Sequence, residues 1–219
     1  MRKLDIPRLQ VFPASASEVP QILDAMHIPF EPIAVLNWPN EYPYCPQVGF
    51  RMAWCPDGLA IHYKVEEQCV RALYAEDGGK VWTDSCVECF VRNGNTSIYY
   101  NIECNCIGTL RMSTGDGRHH RRPVPVELMD KVLRWSSLGC EPFEERCQPT
   151  SWEFVMLIPS EAFSEFPIRL EGGAILYANF YKCGDELSVP HYVSWNPIDT
   201  PQPDFHQPGC FGELRLAED

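Results

Sequence analysis

The stretch "KVWTDSCVECFV" (residues 80–91) combines a tryptophan, two acids and a Cys-x-x-Cys, and its chemistry depends on which way each side chain points. Successive side chains of a β-strand face opposite sides. A strand over 86–91 therefore puts Val87, Cys89 and Val91 on one face and Cys86, Glu88 and Phe90 on the other. The following run "SIYYNIEC" (97–104) sorts the same way. Tyr100, Ile102, Cys104 and Cys106 share an apolar face, and Tyr99, Asn101, Glu103 and Asn105 share a polar one. Between them "RNGNTS" holds Asn93-Gly94, a hairpin signal. A two-residue turn there predicts Glu88 beside Asn101, with Glu103 one step further along. The alternation also removes two readings of the cysteines. Cys86 and Cys89 fall on opposite faces, which a zinc knuckle does not allow. A thioredoxin-like redox pair needs a βαβ context that is absent around the motif.

Outward from this hairpin the pattern repeats. Twenty prolines and fourteen glycines punctuate short runs rich in β-branched and aromatic residues, the pattern of an all-β sandwich or barrel. Strands are expected at 30–36, 48–55, 59–65, 86–91, 97–104, 151–158, 174–183, 191–195 and 211–217. Helical spacing is confined to 16–26, 125–135 and a turn or two in 159–166. The polar segment 113–123 is expected as an exposed loop, and the proline-spaced segment 196–212 as a surface wrap. At 219 residues the chain is expected to form one domain over 1–219.

Charge excludes some partners. Thirty acids against 18 lysines and arginines give a net charge of -12 and a pI near 4.9. Such a field repels nucleic acid and anionic membrane surfaces. Eleven cysteines cannot all pair within one chain, and their spacing is not that of a stapled scaffold. The expectation is a reducing compartment, with most thiols packed as small hydrophobes. The start "MRKLDIPRLQVFPASA" has no apolar run of signal-peptide length and no stretch approaches a membrane span, so the chain reads as cytoplasmic.

The polar face of the hairpin is the candidate site. Glu88, Asn101 and Glu103 form a row of donors and acceptors beside Phe90 and Tyr99, and a later strand repeats the mixture with Tyr177, Asn179 and Tyr181. Aromatic rings cover the C–H face of a sugar while amides and acids bond its hydroxyls, so a neutral polyhydroxylated ligand suits this face. Trp54 and Trp152 lie mid-strand and are expected in the core. Trp82 follows a polar turn at a strand entrance. His119 and His120 lie in the basic loop, and His191 and His206 are isolated.

Five ordered pieces carry a resemblance: "VWTDSCVECFV", "YYNIECNCIGTL" (99–110), Trp152-Glu153-Phe154 leading into "LIPSEAF", "ANFYKCGDELSVPHYVSW" (178–195) and "PDFHQPGCFGELRL" (203–216). Together, over about residues 80–216, they resemble the family-9 carbohydrate-binding modules and their single-domain bacterial relatives. The resemblance implies an antiparallel β-sandwich of jelly-roll type with a few short peripheral helices. It also implies a ligand slot between two facing tryptophans, the first six residues before a strand glutamate that bonds sugar hydroxyls. Trp82 and Glu88 have that spacing, and "HYVSW" offers Trp195 as the second. Where the family carries a basic residue after the hairpin this chain has Asn101. Near Asn179 to Lys182 only Lys182 keeps the charge, and on a regular strand it faces away from Asn179. Exported members can carry structural calcium, but no clear ligand loop for it is visible in this sequence, so neither a metal nor another cofactor is expected.

Three functions follow. The leading one is non-catalytic binding of a mono- or oligosaccharide end by Trp82, Glu88, Asn101, Glu103, Asn179, Lys182 and Trp195. A glycoside hydrolase using Glu88 and Glu103 is the second, since neighbouring strands can hold two carboxyls at either spacing such enzymes use. The third is a protein-interaction sandwich with an aromatic patch.

Overall fold

The structure, a computed structural model, describes residues 1–94 and 96–218. In chain order its elements are β1 (Lys3–Ile6), α1 (Val19–Ala25), β2 (Glu31–Pro32), β3 (Val35–Leu36), β4 (Gln47–Cys55), β5 (Gly58–Ala72), β6 (Cys86–Asn93), β7 (Tyr99–Asn105) and β8 (Leu110–Gly115). They continue with β9 (Arg122–Pro123), α2 (Val126–Met129), β10 (Leu133–Ser136), β11 (Phe143–Pro159), β12 (Ile175–Cys183), β13 (Tyr192–Ser194) and β14 (Gly212–Leu216). Among the described residues, one sheet runs β1-β14-β12-β6-β7-β8-β9, with β13 and β3 continuing from β12, and the other runs β10-β11-β5-β4-β2. Pairing is antiparallel except for β1 on β14. The result is the antiparallel sandwich the sequence implied.

The two sheets bury their inner faces against each other, and the alternation of the opening stretch holds. Val87, Cys89, Val91, Tyr100, Ile102, Cys104 and Cys106 join Trp54, Tyr63 and Trp152 in the principal core. Across the layers Phe50 of β4 stacks on Phe180 of β12, ring centroids 3.6 Å apart. Each such fully buried side chain contributes about 1.5–3 kcal/mol of transfer free energy. Cys86 and Phe90 lie instead in a second cluster on the outer face of the larger sheet, with Tyr99, Tyr181 and Phe211.

Several expectations change. The predicted strand 30–36 splits into β2 and β3, which join different sheets. The proposed helix over 125–135 is one short turn, α2, followed by the edge strand β10 on β11. Segment 113–123 is not all loop, because β8 ends at Gly115 and β9 returns at Arg122. The hairpin is longer than a two-residue turn. Gly94 sits in a turn, Asn95 lies outside the described residues, and β7 begins only at Tyr99. Glu88 therefore faces Glu103, and Phe90 faces Asn101. That slip is two residues, so every side chain keeps its face. Cys69 and Cys147, opposed on β5 and β11, form a disulfide, whereas a reducing compartment predicts free thiols.

The outer face of the smaller sheet carries α1, whose Val19 and Leu23 pack on Ala53, Ala60 and Leu157. At its edge His62, 1 % exposed, accepts from Arg51 Nε at Nδ1 (3.1 Å) and faces Glu153 with Nε2 (3.0 Å). Burial and the Arg51 guanidinium lower its pKa to about 4, outweighing the opposing pull of Glu153 and Asp24. An unfolded histidine takes its proton near pH 6.5. Between there and pH 4 the unfolded chain binds more protons, so stability falls as pH falls. His62→Gln is expected to lack this loss, which amounts to roughly 3 kcal/mol. Denaturant midpoints of parent and variant at pH 7.5 and 4.5 measure it; an unchanged difference between them would sink the assignment.

Candidate functional site

The outer face of the larger sheet opens into a cleft of about 360 Å³. Its floor is built by alternation: Glu88 and Phe90 from β6, Asn101 and Glu103 from β7, Arg111 and Ser113 from β8, and Cys183 from the end of β12. Its walls come from Trp82 and Asp185 on one side and Tyr192, Phe205 and His206 on the other segments.

The Trp82 wall is anchored by Asp84, the second acid of the opening stretch. A 3-10 turn (Val81–Thr83) presents Trp82, and the chain then dives so that Asp84 is fully buried. Its carboxylate accepts from Arg71 Nε (3.1 Å), the amides of Leu73 and Tyr74 (both 3.0 Å) and Asn105 Nδ2 (3.1 Å). The Asp185 amide donates to the Trp82 carbonyl at 3.1 Å, tying the loop after β12 to the same turn. Above the turn the Arg111 guanidinium lies 5.0 Å from the Trp82 ring centroid. The lining is also aromatic: Phe205 stacks on Tyr181 at 4.2 Å, and Tyr192, beside Asp185, lies edge-on to Phe205 at 6.1 Å. His206 hydrogen-bonds the Tyr99 hydroxyl at 2.7 Å.

Charge in the cleft is mixed. Glu88 and Glu103 are directly opposed, so their Cβ atoms are about 4.5–5.5 Å apart. Burial first, then the neighbouring Glu103, pushes the Glu88 carboxyl well up from its ordinary value. Burial also raises Glu103, against the hydrogen bond from Asn101 and the charges of Arg111 and Arg121. Burial and Glu103 lift Asp185 to about 7, and burial with Arg121 lowers His206 to about 3. Asn101 sits between the charges: its Nδ2 donates to Glu103 Oε1, and its Oδ1 accepts from Arg121 Nε at 2.7 Å. Arg121 also donates to the carbonyls of Tyr99 (3.0 Å) and Ser113 (3.2 Å) and covers the Tyr99 ring at 4.2 Å.

Of the seven residues singled out in the sequence, Trp82, Glu88, Asn101 and Glu103 meet in the cleft. The other three do not. Trp195 is 1 % exposed and packs between the sheets, edge-on to Phe50 (5.7 Å) and Phe180 (5.8 Å), because the strand face it occupies is the inner one. Lys182 shares that inner face and is wholly buried, ion-paired with Glu67 Oε2 at 2.8 Å and donating to His191 Nε2 (2.7 Å) and the Cys183 carbonyl (2.9 Å). Asn179 does face outward, but segment 196–212 lies over it. Its Oδ1 accepts from the Asn196 amide (2.8 Å) and its Nδ2 donates to the Asn196 carbonyl (3.1 Å). Arg111, Arg121, Asp185, Tyr192 and Phe205 were missed. The only sequence signal for them was a basic cluster at 118–122 close to an acid-bearing strand pair.

A two-layer β-sandwich with an amphiphilic cleft on one sheet is the architecture of a small-molecule-binding module. The chain belongs to carbohydrate-binding family 9, whose model matches residues 17–216. Among solved structures it is similar to a candidate carbohydrate-binding protein from Bacteroides uniformis ATCC 8492. That structure has 43 % identity and a TM-score of 0.93, over 98 % of this chain and 99 % of the other. The fold is also that of a family-9 module from Caldicellulosiruptor kristjanssonii in complex with glucose (13 % identity, TM-score 0.65, 100 % and 97 % of the two chains). The structure of such a module from that organism with cellotriose has 12 % identity and a TM-score of 0.63, over 100 % and 95 %. No match to a curated protein sequence was found.

Proposed function

We propose that the cleft binds the end of a neutral saccharide without cleaving it. The observation that carries this reading is the meeting of Trp82 with Glu88, Glu103 and Arg111 in one open cleft of a carbohydrate-binding family member. The Trp82 ring supplies an apolar platform for a sugar C–H face. Tyr192 and Phe205 add aromatic surface to the same cleft, in place of a second tryptophan. The carboxyls and Arg111 bond the hydroxyls, as acceptors and as a donor. Glucose and cellotriose, bound by structural relatives, are the first ligands to try.

Isothermal titration of the parent is expected to show one saturable site. Trp82→Ala is expected to weaken it at least tenfold, about 1.4 kcal/mol, with an unchanged melting temperature. Equal binding by parent and Trp82→Ala would refute the platform. The opposed Glu88 and Glu103 also suit a glycoside hydrolase, and turnover of aryl glycosides by the parent would favour that reading. Membership of a carbohydrate-binding family supports binding over turnover.

A further inference from the structure

At the Trp82 end of the cleft the sheet brings together, beside the Glu88 carboxyl, two thiols that carbohydrate binding leaves without a purpose. Cys86 and Cys183 are directly opposed on β6 and β12, and Glu88 lies two residues along β6 on the same face. Cys183 Sγ is 3.2 Å from Glu88 Oε1, and Cys86 Sγ is 4.0 Å from the same oxygen. All three ligand atoms lie within 4.8 Å of one another. We propose that Cys86, Cys183 and Glu88 form a site for one soft or borderline divalent cation of the zinc class, opening on the cleft.

The geometry fits that class. With Zn–S near 2.3 Å and Zn–O near 2.1 Å, tetrahedral ligand atoms stand roughly 3.6–3.8 Å apart, which the two measured separations bracket. Two sulfurs exclude calcium and magnesium, which take oxygen. The fourth position points into the cleft, since Cys183 and Glu88 line it while Cys86 is fully buried beneath them. A water can complete the set. The donors are also well placed. Cys86 and Cys183 lie on regular paired strands, and the Trp82 carbonyl, held by the Asp185 amide, is 3.6 Å from Cys183 Sγ. Binding replaces the two S–H bonds, and the carboxyl O–H of any protonated Glu88, by bonds to the metal and releases those protons to solvent. By contrast the Cys-x-x-Cys pair, Cys86 with Cys89, stays split between faces. The partner of Cys86 comes from a strand almost a hundred residues on.

Cobalt(II) titration of the full chain under nitrogen tests the site, without reductant so that the Cys69–Cys147 disulfide stays closed. The parent, stripped with chelator, is expected to develop a thiolate-to-cobalt charge-transfer band that saturates at one equivalent and is bleached by zinc. Cys86→Ser and Cys183→Ser are expected to lose the band, Glu88→Gln to weaken it, and Cys89→Ser, on the inner face, to keep it. No band in the parent, or a band that survives Cys183→Ser, overturns the proposal. Should a serine variant fail to fold, the 113Cd chemical shift of the cadmium-loaded parent decides: sulfur-rich coordination supports the site and oxygen-only coordination overturns it.

Discussion

Truncating Trp195 to alanine is expected to cost about 3–5 kcal/mol of folding stability, the largest effect of any single tryptophan outside β4 and β11. The indole packs edge-on against the stacked Phe50–Phe180 pair, and the chain is shaped to receive it. A Cβ at Gly212 would stand 2.4 Å from Trp195 Cζ3, so β14 can pass beneath the ring only as glycine. Urea denaturation is the measurement, run beside Trp82→Ala as the comparison. The cleft tryptophan should change saccharide affinity with little change in stability, and the core one the reverse. A Trp195 variant as stable as the parent but blind to saccharide would return Trp195 to the binding slot.

Lys182→Ala should be comparably severe, at about 3–5 kcal/mol, and for a different reason. Lys182 bridges Glu67 and His191 between the sheets, and Glu67 Oε1 also accepts from Trp152 Nε1 at 2.7 Å. His191 completes the chain, its Nδ1 reaching the Val189 carbonyl at 3.0 Å. Removing the ammonium leaves a carboxylate that is only 3 % exposed without its counter-charge. The double variant Lys182→Met/Glu67→Gln keeps an acceptor for Trp152 and removes both charges. It is expected to recover most of the loss, because a buried ion pair contributes little net energy over an apolar replacement. If the double variant is as unstable as Lys182→Ala, packing rather than unpaired charge is the cause.

Lys182 and Trp195 also show where sequence reasoning ran out. Strand alternation was legible: it split Cys86 from Cys89, sent Cys104 and Cys106 inward, and put Glu88 with Glu103 on one face. Parity survives a two-residue error in register, so the face was right although the Glu88 partner was wrong. Alternation also set Lys182 opposite Asn179, on a face where a lysine is rare, and it entered the site through the family resemblance alone. Only the acid on the facing sheet, 115 residues earlier, explains it. The arginines of the cleft left a weaker trace. Segment 113–123 has the composition of a solvated loop, and nothing periodic tells that Arg121 folds back over Tyr99 to hold Asn101. β10 was hidden for a related reason, since a strand at a sheet edge needs few β-formers and its residues had helical spacing.

Asp84 deserves a final consequence. With its four donors drawn from β5, β7 and the segment after β5, it fixes the turn that carries Trp82 before any sugar arrives. Under the proposed saccharide binding, the ligand meets a platform already in place. Little of the binding free energy is then spent on ordering the protein, and the affinity reflects the contacts made rather than the shape that had to be found.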